Sequence, residues 1–377
     1  METSVAKHVP ELDGLRGIAI LSVLIQHQLT PLTITGGFLG VDLFFVLSGF
    51  LITSLLLGEF RRTGSISLGN FYMRRLLRLG PALAVFLAAT LIVAYRTQTI
   101  GFIRQLKLIA IALLYSTNWR MAFHWDVIPD PTMIAWSLSI EEQFYLVWPL
   151  ALFACLALGL RRRSIAGGLT LVIFGILAHR YVLLKSGADL GRLYYGTDTR
   201  ADALLVGCAF GFLHSKKVAL RTSIWLKVGG VCAAVAFGLL IFTIDFKDEF
   251  LYRGGFTGVA IICGVLIYAA ANTPPRILST ALRFTPLVWL GQISYGLYLW
   301  HWLVLTSTTF YYLGRWEQSA RLAFAVGIAA TSYYLIEKPF NQLKTRFVSR
   351  SNGSQTNSTE AISEEIDPRY AALAVER

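Results

Sequence analysis

Arg16 and His27 stand eleven residues apart in an apolar run near the N-terminus, and Asp42 lies near the start of the next run. Eleven residues along an α-helix return to nearly the same face about 16 Å further on, so the two share one stripe of one span. Ionisable side chains within a span are costly and ordinarily face a bundle interior or a water-filled cavity. An imidazole with an ordinary pKa of about 6.5 can take a proton from a hydroxyl and later return it. The alternative for His27 is a hydrogen-bonded packing residue. Asp42, at similar depth on the next span, would orient the ring or stabilise its imidazolium.

Two further segments bring charge to the same level. In Trp136-Ser137-Leu138-Ser139-Ile140-Glu141-Glu142-Gln143-Phe144-Tyr145, helical spacing puts Ser137, Glu141, Tyr145 and Trp148 on one stripe suited to a hydroxyl-rich ligand. The plainer reading is a pair of interfacial carboxylates in an aromatic belt. Arg200 and Asp202 open another span, where pairing with each other is the plain alternative. His301 falls mid-span and needs a partner, which a helix–helix hydrogen bond would equally supply. A separate cluster, Arg74, Arg75 and Arg78, precedes the third span. Arg75 and Arg78 share a helix face, and guanidinium groups bind phosphates in bidentate fashion, although arginines beside a span also set topology.

The elements that must position these groups are membrane helices. Of 377 residues 55% are hydrophobic and only 15% charged, against about 25% charged in a soluble domain. The net charge of +12 sits in short clusters between apolar runs, the positive-inside pattern, and argues against a nucleic-acid face. The predicted fold class is all-α: a polytopic bundle of ten spans at 15–32, 37–57, 79–96, 134–158, 165–184, 201–214, 224–244, 255–271, 287–309 and 320–336. Residues 102–115 read as a short interfacial or re-entrant helix. The charge rule then puts both termini in the cytoplasm, with His27, Asp42, Glu141 and Arg200 toward the outer surface. The expected domains are a cytoplasmic N-terminal segment 1–14, a membrane domain 15–347 and a disordered cytoplasmic tail 348–377, polar from about residue 350. No room is expected for a further domain after the membrane part.

Cys155, Cys208, Cys232 and Cys263 lie singly in apolar runs and read as packed thiols. No P-loop, dinucleotide fingerprint or metal constellation is present in the sequence. His8, His124, His179 and His214 lack evident acidic company at matching depth and receive no role. Glu337 reads as part of a membrane stop.

Glu11-Leu12-Asp13-Gly14-Leu15-Arg16-Gly17, the Arg16-to-His27 spacing and Gly40-Val41-Asp42-Leu43-Phe44-Phe45-Val46-Leu47-Ser48-Gly49-Phe50 resemble the membrane acyltransferase-3 family, over nearly all of the chain to about residue 347. The resemblance implies O-acylation of sugars and other hydroxyl acceptors from acyl-CoA, most simply acetyl-CoA, by an enzyme of the plasma (inner) membrane. The implied roles place His27, Asp42 and Glu141 in catalysis, the family's Trp-Ser-Leu-x-x-Glu pattern pointing to Glu141 over Glu142. Arg16, Arg75 and Arg78 would bind the donor's phosphates, since the family shows an Arg-x-x-Arg before the third span. Glu142, Tyr145, Arg200, Asp202, Tyr295 and His301 would line the acceptor tunnel, from the family's Arg-x-Asp and Ser-Tyr-x-x-Tyr-x-x-His patterns. The expected partners are the lipid bilayer, acyl-CoA and a carbohydrate or lipid-linked glycan, with no permanently bound cofactor, no metal and no nucleic acid. A pantetheine arm reaches roughly 15 Å, comparable with the helical rise from Arg16 to His27. A transporter or flippase for a polar or lipid-linked sugar is the rival class; it would favour paired broken helices in related halves, which the sequence does not display.

Overall fold

The computed structural model describes residues 9–28, 34–97, 100–125, 130–215, 224–272, 274–306 and 316–343. Within the described residues the apolar runs are built of helices, because a helix satisfies its own backbone N–H and C=O groups where no water can. The helices are α1 (Pro10–Gln28), α2 (Leu39–Thr63), α3 (Leu68–Thr97), α4 (Phe102–Leu113) and α5 (Thr117–Ala122). Then come α6 (Trp136–Ala157), α7 (Arg162–Lys185), α8 (Leu190–Tyr195), α9 (Thr197–Ser215) and α10 (Ile224–Thr243). The last are α11 (Phe256–Asn272), α12 (Arg276–Leu282), α13 (Thr285–Gln292), α14 (Ser294–Thr306) and α15 (Glu317–Ser332). A 3-10 turn, Pro131–Ala135, leads into α6; π turns at Leu251–Gly255 and Tyr333–Glu337 precede α11 and follow α15. No strand occurs among the described residues.

This is an all-α polytopic bundle. Seven helical stretches are long and apolar enough to cross a bilayer: Leu39–Thr63, Leu68–Thr97, Pro131–Ala157, Arg162–Lys185, Ile224–Thr243, Leu251–Asn272 and Glu317–Leu343. Of the ten expected spans, those built on α1 and α9 form helices of 19 residues. The ionisable groups that make these two chemically interesting also lower their hydropathy. The expected span 287–309 is instead two helices, α13 and α14, broken at Ile293. The third span starts earlier than expected, so Arg74, Arg75 and Arg78 lie inside α3 rather than before it. Likewise α1 begins at Pro10, inside the segment expected to precede the membrane domain. The short α4, with 12 residues, covers only about 18 Å of the roughly 30 Å hydrocarbon thickness. His8 and the expected tail from residue 348 lie outside the described residues.

The chain divides into two compact units. The larger takes the residues up to Ile66 and from Phe86 to Ala330; the smaller takes Ser67–Val85 and the residues from Thr331 onward. In the larger unit, α2 lies along α9 and α1 along α13, and small residues set both contacts. A β-carbon on Gly49 would strike the backbone carbonyl of Leu204, and one on Gly207 that of Val46. Between α1 and α13, Gly17 faces the carbonyl of Leu287 and Gly291 that of Asp13. Apolar lipid offers no hydrophobic drive for helices to associate, so such backbone approach supplies the packing instead. In the smaller unit, Glu337 is buried at 4% exposure rather than sitting at a surface stop, and the positive charge of Arg78 acts on it.

Gly49→Ala is expected to cost about 1–3 kcal/mol through overpacking, read as a lowered unfolding midpoint of the detergent-solubilised protein. Gly58→Ala, on the same helix with open space around it, should leave that midpoint unchanged or raise it.

Candidate active site

Near the end of α1, His27 meets His301 of α14. His27 Nδ1 lies 3.1 Å from His301 Nε2, and the two rings stack with centroids 5.4 Å apart and planes 11° from parallel. The far nitrogen of His301, Nδ1, is 3.0 Å from the carbonyl oxygen of Leu297, one turn back on its own helix. A carbonyl only accepts, so His301 Nδ1 carries the proton and, in the neutral ring, Nε2 carries a lone pair. His27 Nδ1–H must then donate to that lone pair. By elimination the remaining nitrogen, His27 Nε2, is unprotonated and basic, the form a general base requires. Trp302 meets His27 edge-on at 5.3 Å, and its indole N–H donates to the carbonyl of Asp130. Beside His301, Tyr298 shares a 2.7 Å hydrogen bond with Ser137 of α6.

Asp42 does not join this pair. It forms a 2.9 Å ion pair with Arg200, both groups at or below 1% exposure. The Arg200 guanidinium carbon sits 3.7 Å from the ring centre of Phe256 and 4.9 Å from that of Tyr194. Asp202 pairs with Arg180 of α7 at 3.0 Å, and Thr257 of α11 donates to the same carboxylate while accepting from Arg180. Arg180 also donates to the carbonyl of Thr199. Arg200 and Asp202 are therefore not partners of each other. Each pairs across helices, so α2, α7 and α9 are held by two buried ion pairs, and Thr257 ties α11 to the second. The expectation that Asp42 orients the His27 ring is corrected: at that nitrogen stands His301.

Glu141 accepts a 2.8 Å hydrogen bond from Ser48 of α2. Glu142 is half-buried on the following position, and Tyr145 is buried against Phe144. Tyr295 is half-buried in the first turn of α14. Arg16 is half-buried, with no hydrogen-bond or ion-pair partner among the described residues. Arg75 and Arg78, in the smaller unit, are half-buried and one turn apart on α3.

Sequence reasoning missed several members. Arg180 carried the same signal as His27, a charge deep in an apolar run, and was passed over. Arg120 and Asp130 form a fully buried ion pair at 2.7 Å within a loop read only as polar and aromatic. The assessment of the remaining histidines also fails: His124 Nε2 lies 3.1 Å from Asp189, and His179 Nε2 lies 2.9 Å from Asp198. His214 meets Asn272 instead. Asp189 caps α8 and Asp198 lies in the first turn of α9, 65 and 19 residues from their histidines, so no local spacing announced them.

Asp42→Leu leaves Arg200 buried without its carboxylate, and a loss of about 3–5 kcal/mol is expected in denaturant unfolding. Asp42→Leu combined with Arg200→Met should recover most of that loss; simple addition of the two single effects would show the pair to be uncoupled.

A family model described as an acyltransferase domain matches residues 9–335. The peptidoglycan O-acetyltransferase OatA of Listeria monocytogenes is 37% identical over 355 residues, covering 89% of this chain and 56% of its own length. The O-acetyltransferase OatA of Staphylococcus aureus is 34% identical over 355 residues, covering 89% of this chain and 58% of its own. The chain thus spans little more than half the length of these curated relatives. No solved structure matches. With the match running through the helices that carry His27, Asp42, Glu141, Arg200 and His301, the chain belongs to the acyltransferase domain family.

Proposed function

We propose that this chain transfers an acyl group, acetyl as in its relatives' names, from acyl-CoA to a hydroxyl of a glycan acceptor, as a multi-pass protein of the bacterial inner membrane with both termini cytoplasmic. The observation that carries the reading is the contact of His27 Nδ1 with His301 Nε2, whose Nδ1 lies against the Leu297 carbonyl, an arrangement that suits the His27 tautomer with a lone pair on Nε2. Nε2 takes the proton of the acceptor hydroxyl as that oxygen attacks the thioester carbonyl. The C–S bond then breaks, the ester forms, and the CoA thiolate recovers the proton from Nε2. His301 positions the base. Glu141, Glu142, Tyr145 and Tyr295 serve the acceptor's hydroxyls, whereas Asp42, Arg200 and Asp202 hold the helices that present them. Arg75 and Arg78 are assigned to donor phosphates because two guanidinium groups one turn apart suit bidentate contacts. Arg16, on the same helix as His27, is the third donor contact.

The test is acetyl transfer from labelled acetyl-CoA to peptidoglycan glycan by the purified full chain. His27→Ala is expected to lower kcat by about 10²–10⁴-fold; full activity would remove His27 from the mechanism. His301→Gln, which keeps an acceptor near the Nε2 position, should retain far more activity than His301→Leu. Equal losses in the two would remove the tautomer argument.

Arg75→Ala with Arg78→Ala should raise KM for acetyl-CoA about tenfold or more, with KM for the acceptor little altered. An unchanged donor dependence would reduce these arginines to topology determinants.

A further inference from the structure

The loop helix α5 carries two faces with different chemistry. Its inner face presents Arg120 to Asp130. On its outer face Trp119 and Phe123 stack 5.7 Å apart at 16°, and Phe123 stacks on Trp125 at 5.4 Å and 22°. Three rings thus run nearly parallel, with Phe123 at 47% and Trp125 at 58% exposure. The Arg192 guanidinium lies 5.5 Å from the ring centre of Trp119 and 5.3 Å from that of Phe123, and it is doubly bonded to Asp198. Beside it, Asp189 accepts from the Arg192 amide and from His124. His124 itself sits at φ 55°, a left-handed conformation unusual for a residue with a side chain.

We propose that the surface of Trp119, Phe123 and Trp125, rimmed by Arg192, Asp189 and His124, docks the glycan chain of the acceptor. The inference rests on the glycan-acceptor reading given above. A pyranose ring has an apolar C–H face that seats on an aromatic ring and equatorial hydroxyls that reach the polar rim, and this surface offers both. Aromatic rings with a polar neighbour are also the side chains that most often anchor an interface. Burial opposes ionisation of Asp189, but the hydrogen bonds from His124 and the Arg192 amide outweigh it and hold the carboxyl below its usual range. For Asp198 too, burial is outweighed, here by Arg192 and His179. Two carboxylates beside one guanidinium set hydrogen-bond acceptors and donors next to the rings, the complement of a sugar's hydroxyl and amide groups.

The platform is also wired to the candidate base. Behind Trp119, Arg120 holds Asp130, the Asp130 carbonyl accepts from Trp302, and Trp302 lies edge-on to His27. Its framework is stiff: Asn118 donates to Tyr195 and Thr197, while Gln143 donates to Asn118 and accepts from Thr197. A strand lying across the rings would therefore lead to the wall of the His27 site.

The experiment measures binding of peptide-free peptidoglycan strands to the full chain in nanodiscs, alongside acetyl transfer by the wild type to a disaccharide from the same polymer. Phe123→Ala with Trp125→Ala is expected to weaken strand binding about 10–100-fold, while Trp125→Tyr, which keeps a ring, stays within about threefold. Equal strand binding by wild type and the double alanine variant would overturn the platform, as would an alanine effect confined to thermal stability in nanodiscs and absent in detergent, the mark of a lipid belt. Absence of strand binding by the wild type would overturn it too. Strand binding lost in the alanine variant but without acetyl transfer by the wild type would keep the platform and sink the acetyl-transfer reading instead.

Discussion

An ion taken out of water must find its opposite, and that constraint shapes the larger unit. Asp42 and Arg200 are almost wholly excluded from solvent, as are Asp202 and Arg180, and each pair joins two different helices. Breaking such a pair is far more costly than having neither charge, because the survivor remains buried. The two pairs therefore act less as a source of stability than as a condition on assembly. Any arrangement of α2, α7 and α9 that separates either pair strands a charge in the interior. Glycines such as Gly49 and Gly207 make the paired arrangement reachable by letting two backbones approach closely enough for short carboxylate–guanidinium contact.

On this frame the candidate base is held by a different kind of contact. His27 and His301 form a neutral pair, and a neutral pair is the less costly way to keep a titratable ring inside a bundle. The ion pairs set the helices, and the histidine pair sets the proton. Because the two tasks fall to different residues, loss of an ion pair and loss of a histidine should leave different signatures, one in folding and the other in turnover.

Much of this was legible in the sequence. Apolar runs located the helices, and the Arg16-to-His27 spacing and the charges at Asp42, Glu141, Arg200 and His301 drew attention to residues that the fold does bury or bond. What the sequence could not supply was pairing. Asp42 is nearer in sequence to His27, but it meets Arg200, 158 positions away; His27 meets His301, 274 positions away. Depth in a membrane can be estimated from one segment alone, whereas azimuth around a helix bundle depends on every neighbour. The same limit hid the partners of His124 and His179. The broken span at Ile293 was hidden for another reason: residues 287–309 are apolar throughout most of their length, and composition does not register a break in the helix.

The hydrogen-bonded run from His27 through His301 ends on the carbonyl of Leu297, an atom that can receive a proton's attraction but has none to pass on. A base set in an energised membrane stands in an electric field that drives charge across the bilayer. A histidine pair continued by further donors would be a conducting wire, draining that field with each turnover. Along this branch the relay stops at Leu297: a proton taken up by His27 could shift to His301 Nε2, but not onward through Nδ1 into a carbonyl.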